Sequence, residues 1–383
     1  MKIVYVFDAI ARVGGVERIF SDKMNYLADI FKYDVYLITS DQGNHPFSFP
    51  ISDNVIHIDL DVCLHSQYQY PYPFRLWKKW KLDRTYEQKL NNEIQIIKPD
   101  IIIGTTYWKG DVICNLKCDA KKIVESHNAR SFTGINDGIK RNKIINWFYL
   151  YALQKWHKEI ENKCDVLITL TKGDAEEWNK AKCVRVIPNM TQPLLQDSST
   201  IIKKKKHVIS VGRFEYQKGF DRLIKAWYIV NQKHPDWILD LYGCGSLQKE
   251  MEELIHTLHL DHSLILHNPT NYIHEKYLES EFYVLSSNYE GFALVLIEAI
   301  SYGIPCVAFD CPYGPSDLIE NGKNGILVKN GDIQGMADSI CWMIEHEEER
   351  KLMGIAARET SKKYRSEVIM KQWDELFKEL IKQ

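Results

Sequence analysis

The sequence predicts an α/β protein built from two doubly wound, parallel-sheet domains. Three observations carry that prediction. A length of 383 residues suits two medium folding units. Short apolar runs alternate with stretches of helical periodicity along most of the chain. A plan of buried strand, glycine-bearing loop and helix occurs twice, once at the start and once after residue 203.

Taken in order, residues 2–7 (KIVYVF) read as a buried strand, followed by a loop with Gly14 and Gly15 and a helix through 18–27. Further strands are predicted at 34–39, 55–60, 101–105, 122–126 and 165–170. Pro188-Asn189, Pro193 and Ser198-Ser199-Thr200 then favour a connection, which sets domains at 1–195 and 203–364. The second unit opens with strand 207–211 (HVISV), the loop 212–219, and a helix whose Phe220, Leu223, Ile224 and Trp227 lie at i, i+3, i+4 and i+7. Strands at 237–242, 263–267, 282–286 and 306–309 follow, with a helical stripe of Leu247, Met251, Leu254, Ile255 and Leu258 and another helix around 294–302. Gly303 and Pro305 suit the end of that helix. A last helix near 365–383 can pack on either domain.

With 45% apolar and 26% charged residues, the chain has a globular composition that excludes disordered and fibrous classes. Its 49 basic and 51 acidic residues nearly cancel, which argues against a dedicated nucleic-acid binder. The balance is uneven: residues 1–200 carry a net +3 and residues 201–383 a net −5. Nine cysteines without Cys-x-x-Cys spacing or nearby His pairs read as reduced thiols of a cytoplasmic protein, with no metal site. The opening apolar run is broken by Asp8, as a first strand would be, and no run of about 18 apolar residues appears.

The stretch 288–298 (NYEGFALVLIE) lies between a strand and a helix and is the richest in chemistry. Free N–H groups at a helix start near Phe292 favour a phosphate, while Glu290 and Glu298 are acceptors suited to sugar hydroxyls. A helix cap and a solvated face would equally explain two glutamates alone. Arg213 and Lys218 stand in the loop after the second domain's first strand, where Gly212 and Gly219 allow close approach to a diphosphate. Either cation alone would read as surface.

Gly14-Gly15-Val16-Glu17-Arg18, Gly212-Arg213 with Lys218-Gly219, Gly243-Cys244-Gly245 and Glu290-Gly291-Phe292 through Glu298-Ala299 resemble the ordered landmarks of retaining glycosyltransferase family 4. Val186-Ile187-Pro188-Asn189 and Asp317 through 324–328 (NGILV) resemble its usual segments too. The resemblance implies a GT-B fold, with two Rossmann-like domains facing a cleft, donor on the second and acceptor on the first. It implies that Arg213 and Lys218 bind the donor diphosphate, that Glu298 holds the ribose, and that Glu290 contacts the transferred sugar. Backbone groups of Phe292, Ala293 and Leu294 would approach sugar or phosphate, Gly15 would line the cleft, and His127, ending strand 122–126, would position the sugar. The family often has Gly or Pro at the place of Ala293.

The implied activity is transfer of a hexose or N-acetylhexosamine, with retention, from a nucleotide diphosphate sugar, expected as UDP-linked, to a glycan or lipid-linked saccharide. No cofactor or metal is implied. An epimerase of the same fold and a non-catalytic nucleotide-sugar-binding module remain as alternatives. Residues 68–80 (YQYPYPFRLWKKW) suit either an anionic membrane face or an internally packed loop, whereas the nearly all-round apolar character of the segment with Trp147, Phe148, Tyr151 and Trp156 favours core packing over membrane contact.

Overall fold

The computed structural model describes residues 1–132, 143–191 and 204–382. Its first sheet holds β1 (Lys2–Phe7), β2 (Asp34–Thr39), β3 (Val55–Asp59), β4 (Ile101–Thr105), β5 (Lys121–Ser126), β6 (Val166–Thr169) and β7 (Val184–Val186). The second holds β8 (His207–Val211), β9 (Ile238–Tyr242), β10 (Leu264–His267), β11 (Phe282–Leu285), β12 (Cys306–Asp310) and β13 (Gly325–Lys329). The orders are β3-β2-β1-β4-β5-β6-β7 and β10-β9-β8-β11-β12-β13. Every strand pair is parallel. Sheets covered on both faces need strands that are apolar throughout, and β1, β4 and β11 are buried along nearly their whole length.

In each sheet the strand order reverses beside the domain's first strand, between β1 and β4 and between β8 and β11. Crevices at such switch points are where α/β sheets receive ligands. The two loops that leave each switch point therefore position the site.

One face of the first sheet is covered by the helix Gly15–Asp29 together with the terminal helix Ser366–Lys382. The chain thus returns from the second domain, and Ile369, Met370, Trp373, Leu376, Phe377 and Leu380 are buried in the first domain's core. Six such side chains represent on the order of 10 kcal/mol of gross burial before conformational entropy is subtracted. The opposite face carries the helices Phe74–Ile97, Gly110–Asn115 and Lys143–Lys163. The expected boundary at 195–203 lies outside the described residues.

Two expectations change. Residues 74–80 are not a loop but the first two turns of a 24-residue helix, whose buried stripe of Leu82, Tyr86, Leu90, Ile94 and Ile97 begins only later. Trp147, Phe148 and Tyr151 are not core: they are 60%, 61% and 60% exposed. Their helix extends past its packing partners, with His157 its first buried residue among those described, and only Trp156 is partly covered, its Nε1 donating to Asp111 Oδ1 at 3.0 Å.

Candidate active site

The loop after β8 is built to bring Lys218 back over the switch point. Gly219 adopts φ +58°, a left-handed conformation that favours glycine, and a Cβ there would lie 2.4 Å from Ser286 O. Ser286, after β11, donates its hydroxyl to Lys218 O at 2.9 Å, tying the two switch-point loops together. Lys218 Nζ then meets Glu290 Oε1 at 2.7 Å, and Ser287 Oγ donates to the same oxygen at 2.5 Å. Glu290 is buried, so its charge is sustained by these two donors. Its backbone is pinned as well: Glu290 N donates to Pro312 O at 2.7 Å and Tyr313 N to Glu290 O at 3.0 Å.

Arg213 is exposed on the same loop and meets Gln217 Oε1 at 3.3 Å. Its guanidinium also acts across the cleft, because it opposes the burial that raises the Glu17 carboxyl. Gly243 and Gly245 have a packing role: a Cβ at Gly243 would sit 1.9 Å from Gly212 O, and one at Gly245 2.4 Å from Phe214 O.

The helix near the glutamates starts at Leu294, in agreement with the helix expected around 294–302 and two residues after the start near Phe292 that the phosphate argument used. Ala293 precedes it at φ +59°, a conformation that costs a non-glycine residue on the order of 1 kcal/mol. The Phe292 ring is turned into the second domain's core, 5.9 Å from the Tyr364 ring, which leaves its backbone rather than its side chain for the cleft. Glu298, one helical turn further on, is held by Arg18 Nη1 at 2.6 Å from the opposite domain and by Tyr277 Oη at 3.4 Å. Burial raises its carboxyl, and Arg18 partly reverses that shift.

The first domain faces these groups closely. A Cβ on Gly15 would lie 2.7 Å from Leu294 Cδ1, and one on Gly291 would lie 2.2 Å from His127 O. The His127 ring, however, is turned inward. It packs edge-on against Phe20, centroids 5.4 Å apart, and its Nε2 lies 3.1 Å from Glu125 Oε2. Glu125 forms a buried, very short ion pair with Lys23, whose ammonium stands 4.3 Å from the centre of the Trp373 ring. Burial lowers both the His127 imidazole and the Lys23 ammonium, overriding Glu125; at Glu125 itself burial acts upward, but Lys23 and His127 outweigh it. His127 thus sits at the cleft by its backbone and in a buried charge cluster by its ring.

On the flank of the cleft, Phe132 and Tyr289 stack at 4.3 Å with an interplanar angle of 3°. Glu177 receives Tyr313 Oη at 2.6 Å and Ser131 N at 2.8 Å, and Gly173 leaves room for the Tyr313 ring. The structure therefore gathers Gly15, Lys218, Glu290, Ala293, Leu294 and Glu298 at one interdomain cleft, with Arg213 on its exposed rim. Sequence reasoning treated Arg18 only as a landmark and missed Lys23, Glu125, Ser287 and Tyr277. Lys23 left a signal: it lies among Phe20, Met24 and Leu27 on a helix's buried stripe, a position that demands a partner.

Residues 192–360 match the protein family described as glycosyl transferases group 1. The chain is 27% identical over 376 residues to an uncharacterized glycosyltransferase of Haemophilus influenzae, covering 97% of this chain and 98% of that one. It is also 27% identical over 391 residues to the amylovoran biosynthesis glycosyltransferase AmsD of Erwinia amylovora, covering 98% and 99%. Among solved structures, a sucrose-phosphate synthase from Thermosynechococcus elongatus superposes with a TM-score of 0.80 at 18% identity, covering 99% of this chain and 98% of that one. Anabaena HepE in complex with UDP gives 0.75 at 18% identity, covering 99% and 100%. Two parallel-sheet domains facing one cleft give the chain the GT-B fold, and both the family matched over its second domain and the relatives matched along its whole length are glycosyltransferases.

Proposed function

We propose that the chain transfers a hexose or N-acetylhexosamine, with retention of configuration, from a UDP-linked sugar to a hydroxyl of a growing glycan or lipid-linked oligosaccharide. The observation that carries this reading is the meeting of Lys218 and Glu290 at 2.7 Å beside the start of the helix Leu294–Ser301. An ammonium has three protons; one goes to Glu290, and two remain for diphosphate oxygens. Arg213 adds a guanidinium fork on the rim, and the first-turn amides of the helix supply further donors. AmsD, named for amylovoran biosynthesis, and HepE, seen with UDP, support a polysaccharide setting and a uridine donor.

In this scheme Lys218, Arg213 and the helix amides stabilise the departing diphosphate as positive charge grows at the anomeric carbon. Glu290, fixed by Ser287 and Lys218, contacts the transferred sugar, and Glu298 exchanges Arg18 for the ribose hydroxyls. His127 contributes through its backbone at the sugar's edge, and its ring is held by Glu125. The diphosphate oxygen on the reacting face accepts the acceptor's proton, which leaves both substrates on one side of the sugar. The positive charge comes from the protein, so the proposal includes no metal or other cofactor.

The test is incubation with a panel of nucleotide sugars and free or lipid-linked acceptors, followed by mass spectrometry. The reading predicts a glycosylated acceptor and stoichiometric UDP. An altered sugar nucleotide formed without acceptor would point to an epimerase, and donor binding with neither transfer nor hydrolysis would point to a binding protein; both would overturn it.

A further inference from the structure

Two helices of the first domain overhang its core in the same place. The helix Phe74–Ile97 has no buried residue before Leu82, so its first eight residues extend about 12 Å beyond the packed part. The helix Lys143–Lys163 has its first buried residue, among those described, at His157. Both helices lead into parallel strands, β4 and β6, so both begin at the carboxyl-end side of the sheet, the side that faces the cleft. They also lie on one face with the helix Gly110–Asn115 between them. Lys109 Nζ reaches Asp83 Oδ1 at 2.5 Å on one side of that short helix, and Trp156 Nε1 reaches Asp111 on the other.

What the overhangs present is unusual for a surface. Trp77 and Trp80 are 50% and 55% exposed, and Tyr72, Phe74 and Leu76 beside them are exposed too. On the second helix Trp147, Phe148 and Tyr151 form an exposed cluster, with Trp147 and Tyr151 stacked at 5.9 Å. The charges from Val62 to Leu82 and from Lys143 to Lys158 are of one sign, with no acidic residue in either stretch, and the neighbouring Asp83 is paired with Lys79 and Lys109. The cations sit against the rings: Arg84 4.7 Å from the Trp80 centroid, Lys81 5.6 Å from Trp77, and Arg75 4.2 Å from Tyr68. No described helix is long and apolar enough to cross a membrane.

The geometry points to a single interfacial surface, formed by the starts of these two helices, that docks on an anionic lipid membrane. Tryptophan and tyrosine suit the boundary between headgroups and acyl chains, and lysine and arginine suit anionic headgroups. The one-sign charge decides against a second copy of the same surface, which would oppose cation to cation. The placement on the cleft side brings the first domain's mouth toward the membrane. The inference stands apart from the donor reading, because it concerns only the outer face of the first domain.

The experiment is flotation of the full chain with phosphatidylglycerol–phosphatidylcholine vesicles and with pure phosphatidylcholine vesicles. Three variants accompany it: Trp77→Ser/Trp80→Ser, Trp147→Ser/Tyr151→Ser and Lys78→Glu/Lys81→Glu, with circular dichroism and thermal midpoint as checks on folding. The wild-type chain is expected to float with the anionic vesicles and to bind less at high salt. Each variant is expected to lower partition about tenfold or more while keeping the wild-type thermal midpoint. Absence of flotation, or equal flotation of wild type and all three variants, would overturn the inference. So would a concentration-dependent dimer, seen by sedimentation, that the tryptophan variants abolish, since it would assign the surface to a second copy.

Discussion

The two domains share a strand, a glycine loop and a helix, yet they use their charges in opposite ways. In the first domain Lys23 and Glu125 neutralise each other inside the core, beside His127 and beneath Trp373. In the second, Lys218 and Glu290 make an equally direct pair, but at the cleft, with Arg213 left exposed beside them. One cluster is sealed inside the first domain's core, and the other stands at the cleft. A charged residue is thus no sign of chemistry until its surroundings are known.

The largest expected effect breaks the first cluster. Lys23→Met leaves the Glu125 carboxylate buried without its cation and is expected to cost about 3–5 kcal/mol in urea unfolding, with much of that recovered in Lys23→Met/Glu125→Gln. A loss below about 1 kcal/mol would show that the cluster is not structural. In the second domain the balance reverses: Glu290→Gln is expected to lower kcat/KM by about 100- to 1000-fold while the thermal midpoint moves by only a few degrees. Arg213→Ala is expected to weaken UDP binding by about tenfold or more in calorimetry, with no change in stability, as befits an exposed cation. Unchanged UDP affinity would remove Arg213 from the donor site.

A smaller effect sharpens the account of the first domain's interior. Burial, together with the charge of Arg130, lowers His157 to about 4. The unfolded chain protonates near 6.5, so this residue's contribution is present above pH 6.5 and is lost as pH falls toward 4. Asp174, raised by burial to about 6, acts in the opposite sense over an overlapping range and flattens the wild-type profile. His157→Phe is therefore expected to gain about 1–2 kcal/mol relative to wild type between pH 7 and pH 5. Parallel pH profiles for the two proteins would contradict that assignment.

The strands were largely legible because parallel strands buried on both faces are short, nearly continuous apolar runs, as at 2–7, 101–105 and 207–211. Short β7, with Arg185 in its centre and only partial burial, offered no such run. The helix Phe74–Ile97 escaped because its first eight residues are not buried and meet only the aromatic turn before them, so the start of the helix carries no apolar periodicity. At the site, Lys218, Glu290 and Glu298 were recognisable from motif order, whereas the interdomain pairing of Arg18 with Glu298 spans 280 residues and follows only from how the domains face each other. The inward turn of His127 was hidden for the same reason: it depends on Glu125, Phe20 and Lys23, which meet only in the folded core.

The central claim is that the second domain's switch point drives retaining transfer from a UDP-sugar. Its most direct measurement is the anomeric coupling, by NMR, of the product formed by the wild-type enzyme from a donor of known configuration. The account predicts the donor's configuration in the product, together with UDP release that requires acceptor and falls by about 100-fold or more in Glu290→Gln. An inverted product, or undiminished acceptor-dependent release by Glu290→Gln, would contradict it.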